Sequence, residues 1–147
     1  MQRTRSRMFL AAAMLASASA PAWQLQSRTL AERASDADVI VVGSVAAIHS
    51  RTQSPFEGMG DVWSVNLSVS RTLKGSFPAR ARVSFADVGI QDRTAFTPSE
   101  PRVWLLKKSS DPNFLTAPAS CECVLIASEE AQVRSLLPPG ASPGARP

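Results

Sequence analysis

Between Val62 and Val69 the chain alternates strictly, with Trp63, Val65, Leu67 and Val69 on one side and Ser64, Asn66 and Ser68 on the other. A period of two belongs to an extended strand, so this segment is expected to turn one face into a core. Upstream, Asp38 to His49 (DVIVVGSVAAIH) is apolar at both parities and rich in β-branched residues, the pattern of a strand buried on both sides. Gly43 in its middle predicts a bulge or bend of the kind that curves a barrel. The two segments are expected to pair. A turn-rich loop from Ser50 to Gly60, with Pro55, Gly58 and Gly60, would join them.

Three shorter apolar runs follow: Arg82 to Ala86 (RVSFA), Arg102 to Lys108 (RVWLLKK) and Cys123 to Ala127 (CVLIA). Two helical patterns bracket the strands. Ser27 to Ser35 sets Leu30, Ala31 and Ala34 on one stripe behind a Ser27 cap, and Ser128 to Leu137 opens on serine and two acids and stops before Pro138. Five strands at short spacing, with helices only at the ends, predict a mainly β protein. The expected form is a small OB-like antiparallel five-stranded β-barrel with an N-terminal and a C-terminal helix. Trp63 and Trp104 are assigned to its core.

The first residues change the picture of where this barrel works. Arg3, Arg5 and Arg7 precede an uncharged stretch from Met8 to Ala22 that closes in small residues, the layout of a secretory signal peptide. The stretch is shorter than the roughly 20 residues that a membrane span needs. Cleavage is expected after Ala22, leaving Trp23 first, with a second small-residue site after Ala20. Residues 1–22 are thus read as signal, 23–137 as one domain, and 138–147 (PPGASPGARP), proline-rich and without a large apolar residue, as a disordered tail. The whole chain has 16 basic and 12 acidic residues, a net charge of +4. Three of the basic residues belong to the signal, leaving 13 against 12 and a net +1, which argues against a nucleic-acid partner. A periplasmic or secreted location follows, with no membrane span once the signal is removed.

Two stretches carry a family resemblance. ASDADVIVVGSVAAI and VNLSVSRTLKGSFPARARVSF resemble the first half of the netrin and tissue-inhibitor-of-metalloproteinases module, over about residues 34 to 108. The matching positions are Ala37, Asp38, Val39, Val41, Gly43 and Val45, then Val69, Leu73, Lys74 and Gly75. The resemblance implies an OB-like five-stranded barrel. In the inhibitors of that family an N-terminal cysteine chelates the protease zinc. Here no cysteine precedes Cys121, so the barrel carries over and protease inhibition does not. Gly75 is read as a turn residue and Lys74 as a solvated side chain.

Cys121 and Cys123, in the stretch SCECVLIAS, are the only cysteines. In an oxidising compartment two thiols of one chain are expected to pair. In an extended strand an i,i+2 pair has Cα atoms about 6.5 to 7 Å apart, at the limit of roughly 6.8 Å that a disulfide spans, so the bond requires a local bend. Free or intermolecular thiols, redox chemistry and metal binding stand as alternatives. Redox work is disfavoured because the spacing is not Cys-x-x-Cys at a helix start and Glu122 would raise the thiol pKa. A zinc site needs four ligands, and beyond the pair the chain offers one histidine, His49, read as a partly exposed strand-end residue.

No nucleophile elbow or phosphate loop occurs, and the acid pairs Asp36 with Asp38 and Asp87 with Asp92 fall where carboxylates are usually solvated or capping. No catalytic residue, metal or cofactor is therefore assigned, and no enzymatic activity is expected. The long connection from Asp87 to Pro101 and the Ser50 to Gly60 loop are the places for partner contact, with Arg93 and Phe96 on the first and Phe56 and Met59 on the second. The expected function is that of an exported, monomeric binding or accessory module for another envelope or extracellular protein. A periplasmic thiol or metal handler built on Cys121 and Cys123 is the alternative.

Overall fold

The structure, a computed structural model, describes residues 28–53, 60–86, 97–117 and 123–140. Its first element is a short helix, α1 (Leu30–Asp36), capped by Thr29; Ser27, the expected cap, lies outside the described residues. Thr29 Oγ1 accepts from the Glu32 amide at 3.2 Å and the Glu32 carboxylate accepts from the Thr29 amide at 2.7 Å, a reciprocal capping box. Three residues after Ser27 stands Leu30, which cannot return such a bond, so the helix starts two residues later than its apolar stripe suggests.

Six strands follow: β1 (Val39–Gln53), β2 (Asp61–Lys74), β3 (Arg82–Ala86), β4 (Arg102–Lys108), β5 (Phe114–Ala117) and β6 (Val124–Ile126). A 3₁₀ turn (Ala127–Glu129) leads into α2 (Glu130–Leu136). The pairings run β1–β2–β3–β5–β4 and return from β4 to β1, closing a five-stranded barrel, while β6 pairs only with Arg102–Trp104 of β4. The expected β1–β2 pair is present, with register shifts that include one between Val42 and Gly43. A Cβ on Gly43 would lie 2.5 Å from the Ser68 carbonyl oxygen, so the close approach of the two strands requires the missing side chain.

Three features differ from the sequence pattern. The sheet is mixed, not antiparallel throughout: β3 and β5 are parallel, Val83 opposite Leu115, because the chain crosses through β4 between them and so re-enters in the same direction. The fifth barrel strand is β5, FLTA, which escapes periodicity at four residues, and the run beginning at Cys123 supplies β6 outside the ring. Last, β1 does not end at His49 but continues to Gln53, opposite Asp61, so in the outer part of the β1–β2 ribbon β1 has run past its pairing with β4 while β2 stays on β3 as far as Val62.

Five consecutive residues of β1, Val39 to Gly43, and five of β4, Arg102 to Leu106, are buried. Trp104 turns into the barrel, where Phe85 meets it edge-on at 5.3 Å and stacks on Trp63 at 6.0 Å. Its indole N–H donates to the Gly43 carbonyl at 2.9 Å, satisfying a polar group that burial would otherwise penalise. The neighbouring Leu105 shares a surface with α1 residues, and α1 packs on α2, with Ala34 and Val133 fully buried. Both tryptophans assigned to the core are there. The alternation in β2 also holds, with Trp63 and Val65 buried and Ser68 exposed.

Candidate functional site

Charge gathers where α1 meets the barrel. Asp36 pairs with Arg28 at 3.1 Å and with Lys107 at 3.4 Å, and Asp38 accepts from the Lys108 amide at 2.8 Å with Lys107 at 3.6 Å. The Arg28 bond, helped by Lys107, holds the Asp36 carboxyl below its ordinary pKa; the Lys108 amide does the same for Asp38, against the opposing effect of partial burial. Both acids therefore stay ionised, as fixed partners of β4 and α1.

Lys74, read as solvated, is half-buried and has fixed partners. Its ammonium donates to the Ala34 carbonyl at 3.0 Å and the Ser35 carbonyl at 2.8 Å, and Lys107 donates to the Asp36 carbonyl at 2.7 Å. Two lysines from the barrel thus satisfy the orphan carbonyls at the negative end of α1. Gly75, as expected, makes a turn, at φ +70°, with its α-carbon against the Asp38 backbone. The only sequence signal for this clamp is the Lys74-Gly75 pair itself.

Beside the clamp lies an open depression lined by Arg28, Arg33, Asp36, Ala37, Leu105, Lys107 and Cys123, with room for about one water molecule. Cys123 is 4% exposed. Its backbone is helical and it precedes β6, so the extended-strand spacing used for the cysteine pair does not apply at this residue. No disulfide occurs among the described residues, and Cys121 and Glu122 lie outside them.

His49 is elsewhere, exposed on the outer half of β1, where its Nε2 pairs with Asn66 Oδ1 and Asn66 Nδ2 donates to the Ala81 carbonyl at 3.2 Å. It stands inside a strand, not at its end. Cys123 neighbours Leu105, which pairs with Ile40, nine positions along β1 from His49 or about 30 Å at strand rise. The structure therefore does not bring His49 and Cys123 together. Among the described residues no group of three or more His, Cys, Asp or Glu side chains is arranged to hold a metal.

The far end of the ribbon has a different character. Arg51 lies over the Trp63 ring at 4.5 Å and bonds Asp61 at 2.6 Å, extending the aromatic stack of the barrel to the surface. Ile48 and Val62 are 49% and 44% exposed there. Val62 pairs with Ala86, so the chain leaves β3 at the same end at which it leaves β1. Phe56, Met59, Arg93 and Phe96, the residues singled out for partner contact, lie outside the described residues, as do Asp87 and Asp92. Exposed apolar residues on the ribbon, Ile48 above all, were hidden in the sequence by the apparent burial of both β1 faces.

At the opposite end, Arg71 of β2 bonds Glu130 of α2 at 2.6 and 3.1 Å, and Arg134 adds a second cation at 2.9 Å. Burial raises the Glu130 pKa, but the two arginines outweigh it and leave the carboxyl below its ordinary value. Comparison with known proteins finds no matching family model and no matching curated sequence. No helix among the described residues is long and apolar enough to cross a membrane.

Proposed function

We propose that the protein is an exported, non-enzymatic binding module on an OB-like barrel, working in the periplasm or outside the cell through contact with another exported protein. The strand order, with β1 between β2 and β4 and β3 parallel to β5, supports the OB-like reading and agrees with the netrin-like sequence positions. One observation carries the contact reading: the outer half of β1 runs on past its pairing with β4, paired with β2 alone among the described strands, with Ile48 on it and Val62 on the facing strand about half exposed. The charged groups at the helix junctions are meanwhile engaged in holding α1 and α2, which makes them scaffold.

The test is site-specific photo-crosslinking of the full-length exported chain, with the probe at Ile48 or Val62 and a control at Ala131, exposed on α2. A discrete adduct from the ribbon positions that Ala131 does not give is expected. Equal adducts from all three positions, or none, would overturn the reading. The thiol or metal handler is the second reading: Cys123 shares its depression with Arg28, Arg33 and Lys107, a cationic setting of the kind that favours a thiolate, with Asp36 pairing two of the three. Intact mass and a metal scan separate the two. A chain starting at Trp23, two hydrogens light and inert to alkylation, supports a structural disulfide, whereas bound metal or two reactive thiols would favour the handler.

A further inference from the structure

We infer that the peptide bond between Asp111 and Pro112 is a self-processing site, at which the chain cuts itself in mildly acidic surroundings. The bond lies in the turn between β4 and β5, where Asp111, Pro112 and Asn113 are all exposed. The Asp111 carbonyl oxygen accepts two hydrogen bonds there, from Ser109 Oγ at 2.8 Å and from the Phe114 amide at 3.0 Å. Ser109 is itself held in position, since its Oγ accepts from the Asp111 amide at 3.2 Å. The Asn113 amide donates to Asp111 Oδ1 at 2.8 Å, which keeps that carboxyl folded back over the turn.

One amide thus combines a carboxyl on the same residue, a pair of donors on its carbonyl oxygen and a proline nitrogen as the leaving group. In its acid form, Asp111 adds a carboxyl oxygen to its own carbonyl carbon and closes a cyclic anhydride ring. Negative charge builds on the carbonyl oxygen as the ring closes. The Ser109 hydroxyl proton, shared in the resting turn with the Phe114 carbonyl at 3.0 Å, and the Phe114 N–H are already aimed at that oxygen. Donors fixed where charge develops are a main source of acceleration in acyl transfer. The carboxyl proton passes to the Pro112 nitrogen, and the C–N bond breaks with its electron pair going to that nitrogen. One water then opens the anhydride to two carboxyls, so the net reaction is hydrolysis with nothing oxidised or reduced. Proline favours the step because its tertiary amide has no N–H and leaves as a basic secondary amine. The cut leaves the barrel standing: β4 remains on β1 and β6, β5 remains on β3, and the two still share the pairs Lys107 with Thr116 and Lys108 with Leu115.

The experiment incubates the full-length exported protein at about pH 5 and about pH 7, folded and in denaturing urea, and follows intact mass under denaturing conditions. Tryptophan fluorescence confirms which samples are folded. The folded protein at the lower pH should yield two pieces, one ending at Asp111 and one beginning at Pro112, at least about tenfold faster than at the higher pH. It should also cut at least about tenfold faster than the urea-unfolded chain at the same pH, which keeps the bond but loses both donors. Native mass should show the two pieces still together and one water heavier than the uncut chain. Ser109→Ala should lower the folded rate to that of the unfolded chain, and Pro112→Ala, which keeps both donors, should abolish the cut. The comparison of folded with unfolded wild type depends on no variant folding. No cleavage of the folded protein at the lower pH, equal rates folded and unfolded, or a rate unchanged in Ser109→Ala would overturn the inference.

Discussion

Replacing Gly75 by alanine tests how tightly the start of β1 is locked to the end of β2. Gly75 has φ +70°, and a Cβ built there would sit well under 3.0 Å from the Asp38 carbonyl oxygen, with Val39 Cα at 3.4 Å. The left-handed backbone costs a residue with a Cβ about 1 to 2 kcal/mol. Forcing a methyl group against fixed backbone adds about 1 to 3 kcal/mol, because Asp38 N is tied to the Leu106 carbonyl at 2.9 Å and its carboxylate to the Lys108 amide, so it cannot retreat freely. Loss of chain entropy in the unfolded state returns about 0.4 to 1 kcal/mol. The net expectation is a loss of about 2 to 4 kcal/mol, a large part of the stability of a domain this size.

Urea unfolding followed by the fluorescence of the buried Trp63 and Trp104 reads this directly. At roughly 1.5 kcal/mol per molar urea, the midpoint should fall by about 1 to 3 M. Gly75→Asn divides the two contributions, since asparagine tolerates the left-handed region but carries the same Cβ. The contact with Asp38 predicts that asparagine recovers no more than about 1 kcal/mol of the alanine loss. Recovery to nearly wild-type stability, or an alanine variant that costs under about 1 kcal/mol, would refute the claim that this junction is sterically locked.

Trp104→Phe should cost about 2 to 4 kcal/mol in the same urea assay, since it leaves the buried Gly43 carbonyl without its donor and opens space beside Phe85; a loss below about 1 kcal/mol would show that the bond is dispensable. The carboxylates give a pH dependence of known sign. Asp36, Asp38 and Glu130 have pKa values lowered on folding, so their contribution is complete above the unfolded values of about 4 and is lost as pH falls through the lower folded ones. Urea midpoints of wild type and Glu130→Gln should accordingly differ at pH 7 and converge towards pH 3; a constant gap would show that Arg71 and Arg134 do not hold the charge.

Much of the barrel was legible because its longest strands are unambiguous. Val62 to Val69 alternates, Asp38 onward is apolar at both parities, and the structure pairs them with the shift at Gly43. Legibility failed where burial comes from topology and not from local period. FLTA is too short to display a period, yet it closes the barrel because β3 offers it a parallel edge. Beyond Val45, β1 carries Ala46, Ala47 and Ile48 in an apolar continuation, but these are exposed since β4 covers only Val39–Gly43. The same limit applied to Lys74, whose partners belong to a helix some 40 residues earlier.

The netrin-like positions acquire a physical account that bears on what they can imply. Ala37 is buried under α1, Asp38 ties β1 to β4, and Val39 and Val41 fill the closure between those strands. Gly43 admits the Ser68 carbonyl and accepts the Trp104 indole, while Leu73, Lys74 and Gly75 seal the return of β2 onto α1 and Asp38. Each of these residues closes the barrel or seats its first helix, and each would be required by any protein that closes a barrel in this way. Residues that serve closure in this way report on architecture and carry no information about a target. Specificity has to be sought on surfaces that closure leaves undetermined, and among the described residues the outer half of β1, exposed from Ala46 to Gln53 and past its pairing with β4, is such a surface.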